Sequence, residues 1–172
     1  METFAGFDRP SGPAGVRNYV AVVPVSVAAS AVADAIADSA GENVHATPHQ
    51  MGTDPPDQAR AQIERTLSGI GTNPNVGAAL VVGLGTESTD ADAIADAIAA
   101  ADRSVETLSI RERGGTSAAV AAGVDIAERL WADIAGLERT EQDASELVFG
   151  VECGGSAATS GIASNPAVGA AC

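Results

Sequence analysis

Short apolar segments alternate with amphipathic segments along most of the chain, and this alternation limits the possible folds more than any other feature. The apolar segments have the length and composition of strands that are buried on both faces of a parallel sheet. The amphipathic segments carry apolar residues at helical spacing and acidic residues on the opposite face. The sequence predicts strands at residues 19–27, 44–48, 76–83, 107–110 and 147–151. It predicts helices at residues 30–40, 55–67, 90–101 and 117–137.

This order of elements predicts an α/β fold with three layers. A mostly parallel sheet of about five strands would carry helices on both faces, as in Rossmann-like and flavodoxin-like folds, with right-handed crossovers between the strands. The length of 172 residues fits a single α/β domain, in which residues 1–18 form an ordered lead-in loop. The last residues resemble the start of a helix, so we expect this domain to be part of a longer one.

The charge balance excludes several classes of partner. Twenty-three acidic residues face nine basic ones, the net charge is −14, and every basic residue is an arginine. Such a surface does not favour binding to nucleic acid or to an anionic membrane. The acidic residues are dispersed, which favours adaptation to molar intracellular salt over a binding face for one cationic partner.

No segment predicts export or insertion into a membrane. The first residues lack the apolar stretch of a secretory signal, and the longest apolar run, residues 19–29, is too short to span a bilayer. Two cysteines do not make a disulfide framework in a chain of this length. We therefore expect a cytoplasmic protein from a halophile that accumulates salt.

The segment of residues 146–161 has the composition of a ligand-binding loop. Paired glycines allow the backbone to approach a ligand closely, and a helix that begins nearby would offer free amide groups to an anion. The alternative is a glycine-rich turn, with the acid in solvent and the thiol in the core. The residues that carry the functional interpretation are Glu152, Cys153, Gly154, Gly155 and Ser156.

Three further loops follow predicted strands, and parallel strands would bring all four loops, including residues 152–156, to one edge of the sheet. The three further loops comprise residues 49–54, 83–87 and 111–116. His49 in the first loop suits a general base because imidazole titrates near neutral pH, although it could instead only hydrogen-bond within its loop. Glu87 could hold a cation through its oxygen atoms or could simply be solvated.

Arg17 is the candidate for binding a substrate carboxylate. A guanidinium group can donate two parallel hydrogen bonds to a carboxylate, which fixes both position and orientation. In so acidic a protein, the alternative is that Arg17 pairs with a neighbouring Asp or Glu side chain.

Five blocks of the sequence, in this order, resemble the altronate/galactarate dehydratase family, whose members remove water from sugar acids and which has sulfolactate sulfo-lyase as a relative. Together they cover nearly the whole chain and correspond to the first half of the family's large domain. The family is metal-dependent, so the resemblance implies a divalent metal such as Fe²⁺. The blocks are FAGFDRPSGPAGVRNYVAVVPV, HQMGTDPPDQARAQIERTL, NPNVGAALVVGLGTE, RERGGTSAAVAAG and ECGGSAATSGIASNPAVG.

The resemblance also implies roles for residues at the family's motif positions around the active site. The catalytic candidates are His49, Glu152 and Cys153. The candidate metal ligands are Glu87, Glu152 and Cys153. The candidate substrate-binding residues are Arg17, Asn18, Gly114, Gly115, Thr116, Gly154, Gly155 and Ser156.

Five positions depart from the family's motifs. Ala28, Thr53 and Thr86 stand where the family usually carries cysteine, Asn73 where it carries histidine, and Ala157 where it carries aspartate. Threonine and alanine are weak or null ligands for Fe²⁺ or Zn²⁺. The resemblance therefore implies a domain of a sugar-acid dehydratase, a lyase. Two alternatives remain: a catalytically degenerate paralogue that binds a small carboxylate, and a structural subunit that completes a partner's active site.

The same interpretation implies the partners of the chain. An aldonate or aldarate would be the substrate. A second copy of the chain, or a companion chain that supplies the missing half of the large domain, would complete the assembly.

Thermal stability is expected to depend on salt, because mutual repulsion among the carboxylates opposes the compact state at low ionic strength. The melting temperature should rise between dilute buffer and molar KCl, where the Debye length is only about 3 Å. Circular dichroism melts across a KCl series measure this. An unchanged midpoint would contradict adaptation to salt.

Overall fold

A four-stranded parallel sheet lies at the centre of the protein, in a computed structural model that describes residues 2–152, 154–155 and 157–171. From one edge to the other, the sheet consists of β3 (Val44–Ala46), β2 (Tyr19–Pro24), β4 (Val76–Gly83) and β5 (Ser104–Ser109). The accompanying helices are α1 (Val27–Ala40), α2 (Asp57–Gly71), α3 (Ala91–Ala99) and α4 (Thr116–Ile134).

The sheet is covered by helices on both faces, because alternate residues of its strands point in opposite directions. Val20 and Val22 of β2 belong to a buried cluster with apolar residues of α1 and α4, whereas Ala21 and Val23 belong to a second cluster with residues of α2 and α3. All eight residues of β4 are buried. The predicted three-layer α/β fold with a parallel sheet is therefore confirmed.

Glycines allow two pairs of helices to pack closely. A Cβ atom on Gly123 of α4 would lie 2.7 Å from Cγ1 of Ile36 in α1, and one on Gly71 of α2 would lie 2.6 Å from Cγ1 of Ile98 in α3. Both distances are far below van der Waals contact. The core, which contains few aromatic residues, gains tight packing from this arrangement.

The predicted fifth strand at residues 147–151 is wrong. After α4 the chain does not return to the sheet; it forms β6 (Thr140–Asp143), which pairs antiparallel with β1 (Thr3–Gly6). Leu147, Val148, Phe149 and Val151 are exposed and lie outside every described strand. An apolar run shows that a segment needs burial, but it does not identify the surface that buries it.

The lead-in of residues 1–18 is more regular than predicted, because it contains β1. The helices agree with the sequence prediction to within three residues at most ends. The chain after β6 contains a 3₁₀ turn at Ala144–Glu146, a π-helical turn at Ser160–Ser164 and α5 (Asn165–Ala171). Among the described residues, no helix combines the length and the hydropathy that crossing a membrane requires.

Replacement of Gly77 by alanine is expected to destabilise the fold by about 1–3 kcal/mol, the usual cost of overpacking. The new methyl group on β4 would overlap Oδ1 of Asn18 and lie 2.8 Å from Cδ1 of Ile134. Urea denaturation measures the loss. The matched control is Gly69→Ala in α2, where no atom lies within 4 Å. That change should stabilise the helix by about 0.5–1 kcal/mol. Equal effects at the two positions would contradict the prediction.

Candidate functional site

Three of the predicted loops meet at the edge of the sheet where the parallel strands end, which we call the carboxyl edge. The amide of Ser88 donates to the carbonyl of Thr53 (2.9 Å), so the loop after β4 is joined to the loop after β3. The amide of Arg111 donates to the carbonyl of Leu84 (3.1 Å), so the loop after β5 is joined as well. Backbone hydrogen bonds therefore hold these loops as one surface.

This surface contains a cleft of about 460 Å³ beyond the ends of β4 and β5. We call it the edge cleft. Thr89, one of its lining residues, is buried, and its hydroxyl group has no hydrogen-bond partner within the described part of the chain. The side chains with charged or hydroxyl groups that line the cleft are Glu87, Ser88, Thr89, Asp90, Asp92, Thr107, Ser109, Glu112 and Arg113.

His49 lies at the carboxyl edge, but both of its ring nitrogens are occupied. Nδ1 accepts a hydrogen bond from the amide of Met51 (3.1 Å), so the hydrogen atom of the neutral ring is on Nε2, which donates to the carbonyl of Pro24 (2.8 Å). The backbone of His49 also contacts the hydroxyl of Ser30. In this arrangement the imidazole fastens its loop to the end of β2.

Glu87 is held by the backbone of its own loop. Oε1 accepts from the amide of Leu84 (2.7 Å), and Oε2 accepts from the amides of Gly85 (2.7 Å) and Thr86 (2.9 Å). Burial raises the pKa of the Glu87 carboxyl, but the hydrogen bonds from backbone amides outweigh burial and hold the pKa below its usual value. The carboxylate therefore stabilises the loop as an anion.

Gly114, Gly115 and Thr116 form the turn from β5 into α4. Gly114 and Gly115 have φ angles of 87° and 120°, which side-chain-bearing residues rarely adopt. A Cβ atom on either glycine would meet no other atom within 4 Å. The turn thus places the first residue of α4 at the carboxyl edge, while the amides of Gly114 and Gly115 donate to the carbonyls of Arg111 and Ile110.

Arg17 and Asn18 lie at the opposite edge of the sheet, because they precede β2. The six residues of β2 span roughly 17 Å, so a small molecule beside His49 or Glu87 is out of their reach. Asn18 is buried and links elements: Oδ1 accepts from Arg9 (3.0 Å) and Nδ2 donates to the carbonyl of Ile134 (2.9 Å). The expectation that these two residues join the other loops around one site is corrected by the strand direction.

Two arginines that the sequence analysis did not select are buried at this amino edge. Arg9 donates to the carbonyls of Pro74 (2.8 Å) and Arg17 (3.1 Å) as well as to Asn18. Burial and the nearby Arg103 lower the pKa of Arg9 to about 10. Arg103 donates to the carbonyl groups of Val76, Ala101 and Ser11.

The remaining site candidates fall in the segment after β6. Glu152, Gly154 and Gly155 are exposed, and no described hydrogen bond links Glu152 to His49 or Glu87. Cys153 and Ser156 lie outside the described residues. Arg113 and Thr89 of the edge cleft were missed by sequence reasoning, because a lone arginine or threonine in a loop carries no distinguishing pattern.

A metal site is not formed by the described residues. They contain no group of three or more His, Cys, Asp and Glu side chains placed to hold an ion. Both oxygens of Glu87 already accept backbone hydrogen bonds. The described donors alone therefore do not fit the divalent metal that the family resemblance implies.

Comparison with known proteins identifies the class of domain. The chain matches the family model of the D-galactarate dehydratase/altronate hydrolase second domain over residues 6–135. It matches the model of the D-galactarate/altronate dehydratase C-terminal domain over residues 144–172. The chain belongs to this dehydratase family.

Curated relatives agree with this assignment. The (2R)-sulfolactate sulfo-lyase subunit beta of Chromohalobacter salexigens is 36% identical over 172 residues, which are 98% of this chain and 42% of the relative. Altronate dehydratase of Bacillus subtilis is 29% identical over 176 residues (97% and 35%). Galactarate dehydratase (L-threo-forming) of Escherichia coli is 37% identical over 112 residues (61% and 21%). The chain spans less than half the length of these relatives. No solved structure matches it.

Glu87→Gln is expected to destabilise the protein at neutral pH by about 1 kcal/mol, an allowance for the partial exposure of this charged acceptor. Because the pKa of Glu87 is lowered in the folded state, its contribution is present above the unfolded pKa and is lost as pH falls through the folded pKa. The stability difference between the two proteins should therefore shrink below about pH 4.

Denaturant melts at several pH values measure this difference. The matched control is Glu112→Gln, which removes an exposed acid of the same cleft. A difference for Glu87→Gln that stays constant down to low pH would contradict the role of the carboxylate.

Proposed function

We propose that this chain is the substrate-binding part of a sugar-acid dehydratase, a lyase that removes water from an aldonate or aldarate. Family membership over the whole sheet and its carboxyl-edge loops is the observation that carries the proposal. Two of the curated relatives are an altronate dehydratase and a galactarate dehydratase. The substrate would bind in the edge cleft, since ligands of parallel sheets bind beyond the carboxyl ends of the strands.

The side chains of the edge cleft suit a polyhydroxy acid. Arg113 is exposed and has no ion pair within the described residues, so its guanidinium group is available to a substrate carboxylate. Thr107 and Ser109 offer hydroxyl groups to the substrate's hydroxyls. The four acidic side chains of the cleft oppose binding of an anion, and salt weakens this opposition. Binding is therefore expected to be tighter in molar salt.

Dehydration requires a base for the proton beside the carboxylate and assistance to the departing hydroxide. His49 would have to release either the Met51 amide or the Pro24 carbonyl before its ring could take up or give a proton. We therefore assign His49 to positioning the loop. Glu152 and Cys153 stay predictions for proton transfer from the sequence, and Glu152 does not line the edge cleft. A divalent metal such as Fe²⁺, if it takes part, would need ligands beyond the described residues.

A second candidate function is favoured by the same observations. One relative is a beta subunit by name, and the described residues lack a metal-binding set. The chain would then be a subunit that completes a companion chain's active site. A catalytically degenerate paralogue that only binds a small carboxylate is the third possibility, and the departures Ala28, Thr53 and Thr86 favour it.

The isolated chain is expected to bind galactarate or altronate in molar KCl and to form no, or very little, keto-acid product. Calorimetry and a product assay with added Fe²⁺ measure the two properties. Arg113→Gln should weaken binding about tenfold or more, since a charge-assisted hydrogen bond is lost. Arg65→Gln, on the exposed side of α2, is the matched control and should leave affinity unchanged.

The other outcomes decide between the alternatives. Rapid turnover by this chain alone would refute the expectation that it binds the substrate but forms little or no product. Absence of binding to every aldonate and aldarate would refute the substrate-binding role and leave the structural subunit. If Arg113→Gln does not weaken binding, the proposal that the substrate binds in the edge cleft is contradicted.

A further inference from the structure

The edge cleft has two walls that differ in charge. Arg113 is the single basic side chain among the described residues that line the cleft. It also lines a smaller groove with Ala122 and Ile126 of α4, so it lies on the face of the sheet that α4 covers. Asp90 and Asp92 stand at the start of α3, which packs against the opposite face. We call the two sides of the cleft the arginine wall and the aspartate wall.

The aspartate wall is negative although a helix begins there. The N-terminus of α3 carries about half a positive charge, which by itself attracts anions. Oδ1 of Asp90 already accepts hydrogen bonds from the amides of Asp92 (2.9 Å) and Ala93 (3.2 Å). Asp92 is exposed, and its carboxylate has no hydrogen bond or ion pair with a described residue. Two carboxylates therefore outweigh the helix terminus.

The other two acidic side chains of the cleft do not distinguish one end of a ligand from the other in this way. Both oxygens of Glu87 accept hydrogen bonds from backbone amides, which spread its negative charge over the loop. Glu112 precedes Arg113 in the chain and is exposed. It therefore acts on whichever carboxylate binds at the arginine wall, and this carboxylate is present in every sugar acid.

We propose that Asp90 and Asp92 make the edge cleft select an acid with one carboxylate, an aldonate, over the corresponding dicarboxylate, an aldarate. This inference rests on the proposed function, in which a substrate carboxylate binds Arg113. The far end of the substrate then faces the aspartate wall. The terminal hydroxyl of an aldonate can donate a hydrogen bond to an aspartate oxygen, whereas the second carboxylate of an aldarate has no proton to donate and meets like charges.

The expected preference is moderate and depends on salt. One pair of like charges about 4 Å apart in water weakens binding about fivefold, which corresponds to about 1 kcal/mol. A repulsive group of this kind gives specificity without improving the affinity for the favoured ligand. In molar salt the Debye length falls to about 3 Å, so the preference for the aldonate should become smaller there.

Galactonate and galactarate are the matched pair of ligands, because they differ only in the oxidation of the terminal carbon. Calorimetry with each acid, at about 0.15 M and at molar KCl, measures the preference. We expect galactonate to bind about fivefold more tightly, or better, at the lower salt concentration. The ratio of the two dissociation constants should approach one in molar KCl.

Asp92→Asn tests the aspartate wall directly, since asparagine keeps the shape of the side chain and removes its charge. Affinity for galactarate should rise about fivefold. Affinity for galactonate should change less than about twofold, because an amide oxygen still accepts a hydrogen bond from a hydroxyl. The matched control is Asp96→Asn, which removes an exposed acid one turn further along α3 and outside the cleft. This control should leave the ratio of the two affinities unchanged.

The outcomes separate this inference from the proposed function. If galactarate binds as tightly as galactonate at the lower salt concentration, the inference is overturned and the substrate-binding role stands. The same holds if Asp92→Asn raises both affinities equally, or if Asp96→Asn changes their ratio as much. Absence of binding by both acids would overturn the proposed function together with the inference.

Discussion

Burial of β4 on both faces is the constraint on which the rest of the structure depends. Every residue of Val76–Gly83 is buried, so helices must cover the sheet from both sides and a parallel strand must lie along each edge of β4. Its register with β2 and β5 fixes where those strands end. The packing of β4 therefore determines where the carboxyl-edge loops and the edge cleft lie, although no side chain of β4 is a candidate functional group.

The fold could be predicted from the sequence to the extent that burial leaves a periodic pattern. The bounds of β4 were predicted without error because the strand is apolar throughout. β1 and β6 were missed because Thr3–Gly6 and Thr140–Asp143 pair at the surface and have largely polar or small side chains. Residues 147–151 were misplaced for the opposite reason, since their apolar pattern is strong but their partner is not within the described residues.

The candidate site was predicted less completely, because a residue's position in a motif does not show at which edge of the sheet its side chain lies. Three of the four loops were correctly expected at one edge, whereas the fourth follows residues 147–151, which form no strand of the sheet. Arg17 and Asn18 precede a strand and therefore lie at the opposite edge. The hydrogen bonds of Glu87 depend on the loop conformation around Gly85, whose φ is 94°, and no pattern in the sequence reveals that conformation. Thr53 and Thr86, which were selected for their side chains, contribute backbone groups to the hydrogen bonds of the carboxyl edge.

The amino edge, which contains the two buried arginines, and the carboxyl edge, which contains the edge cleft, are expected to respond differently to salt. The guanidinium groups of Arg9 and Arg103 donate to neutral carbonyl groups, and these hydrogen bonds depend less on dissolved salt than interactions between exposed charges do. The edge cleft is lined by four acidic side chains and one arginine, and the interactions among these charges are screened by salt. A change in ionic strength is therefore expected to alter the repulsion among the carboxylates of the edge cleft more than the hydrogen bonds that hold the amino edge together.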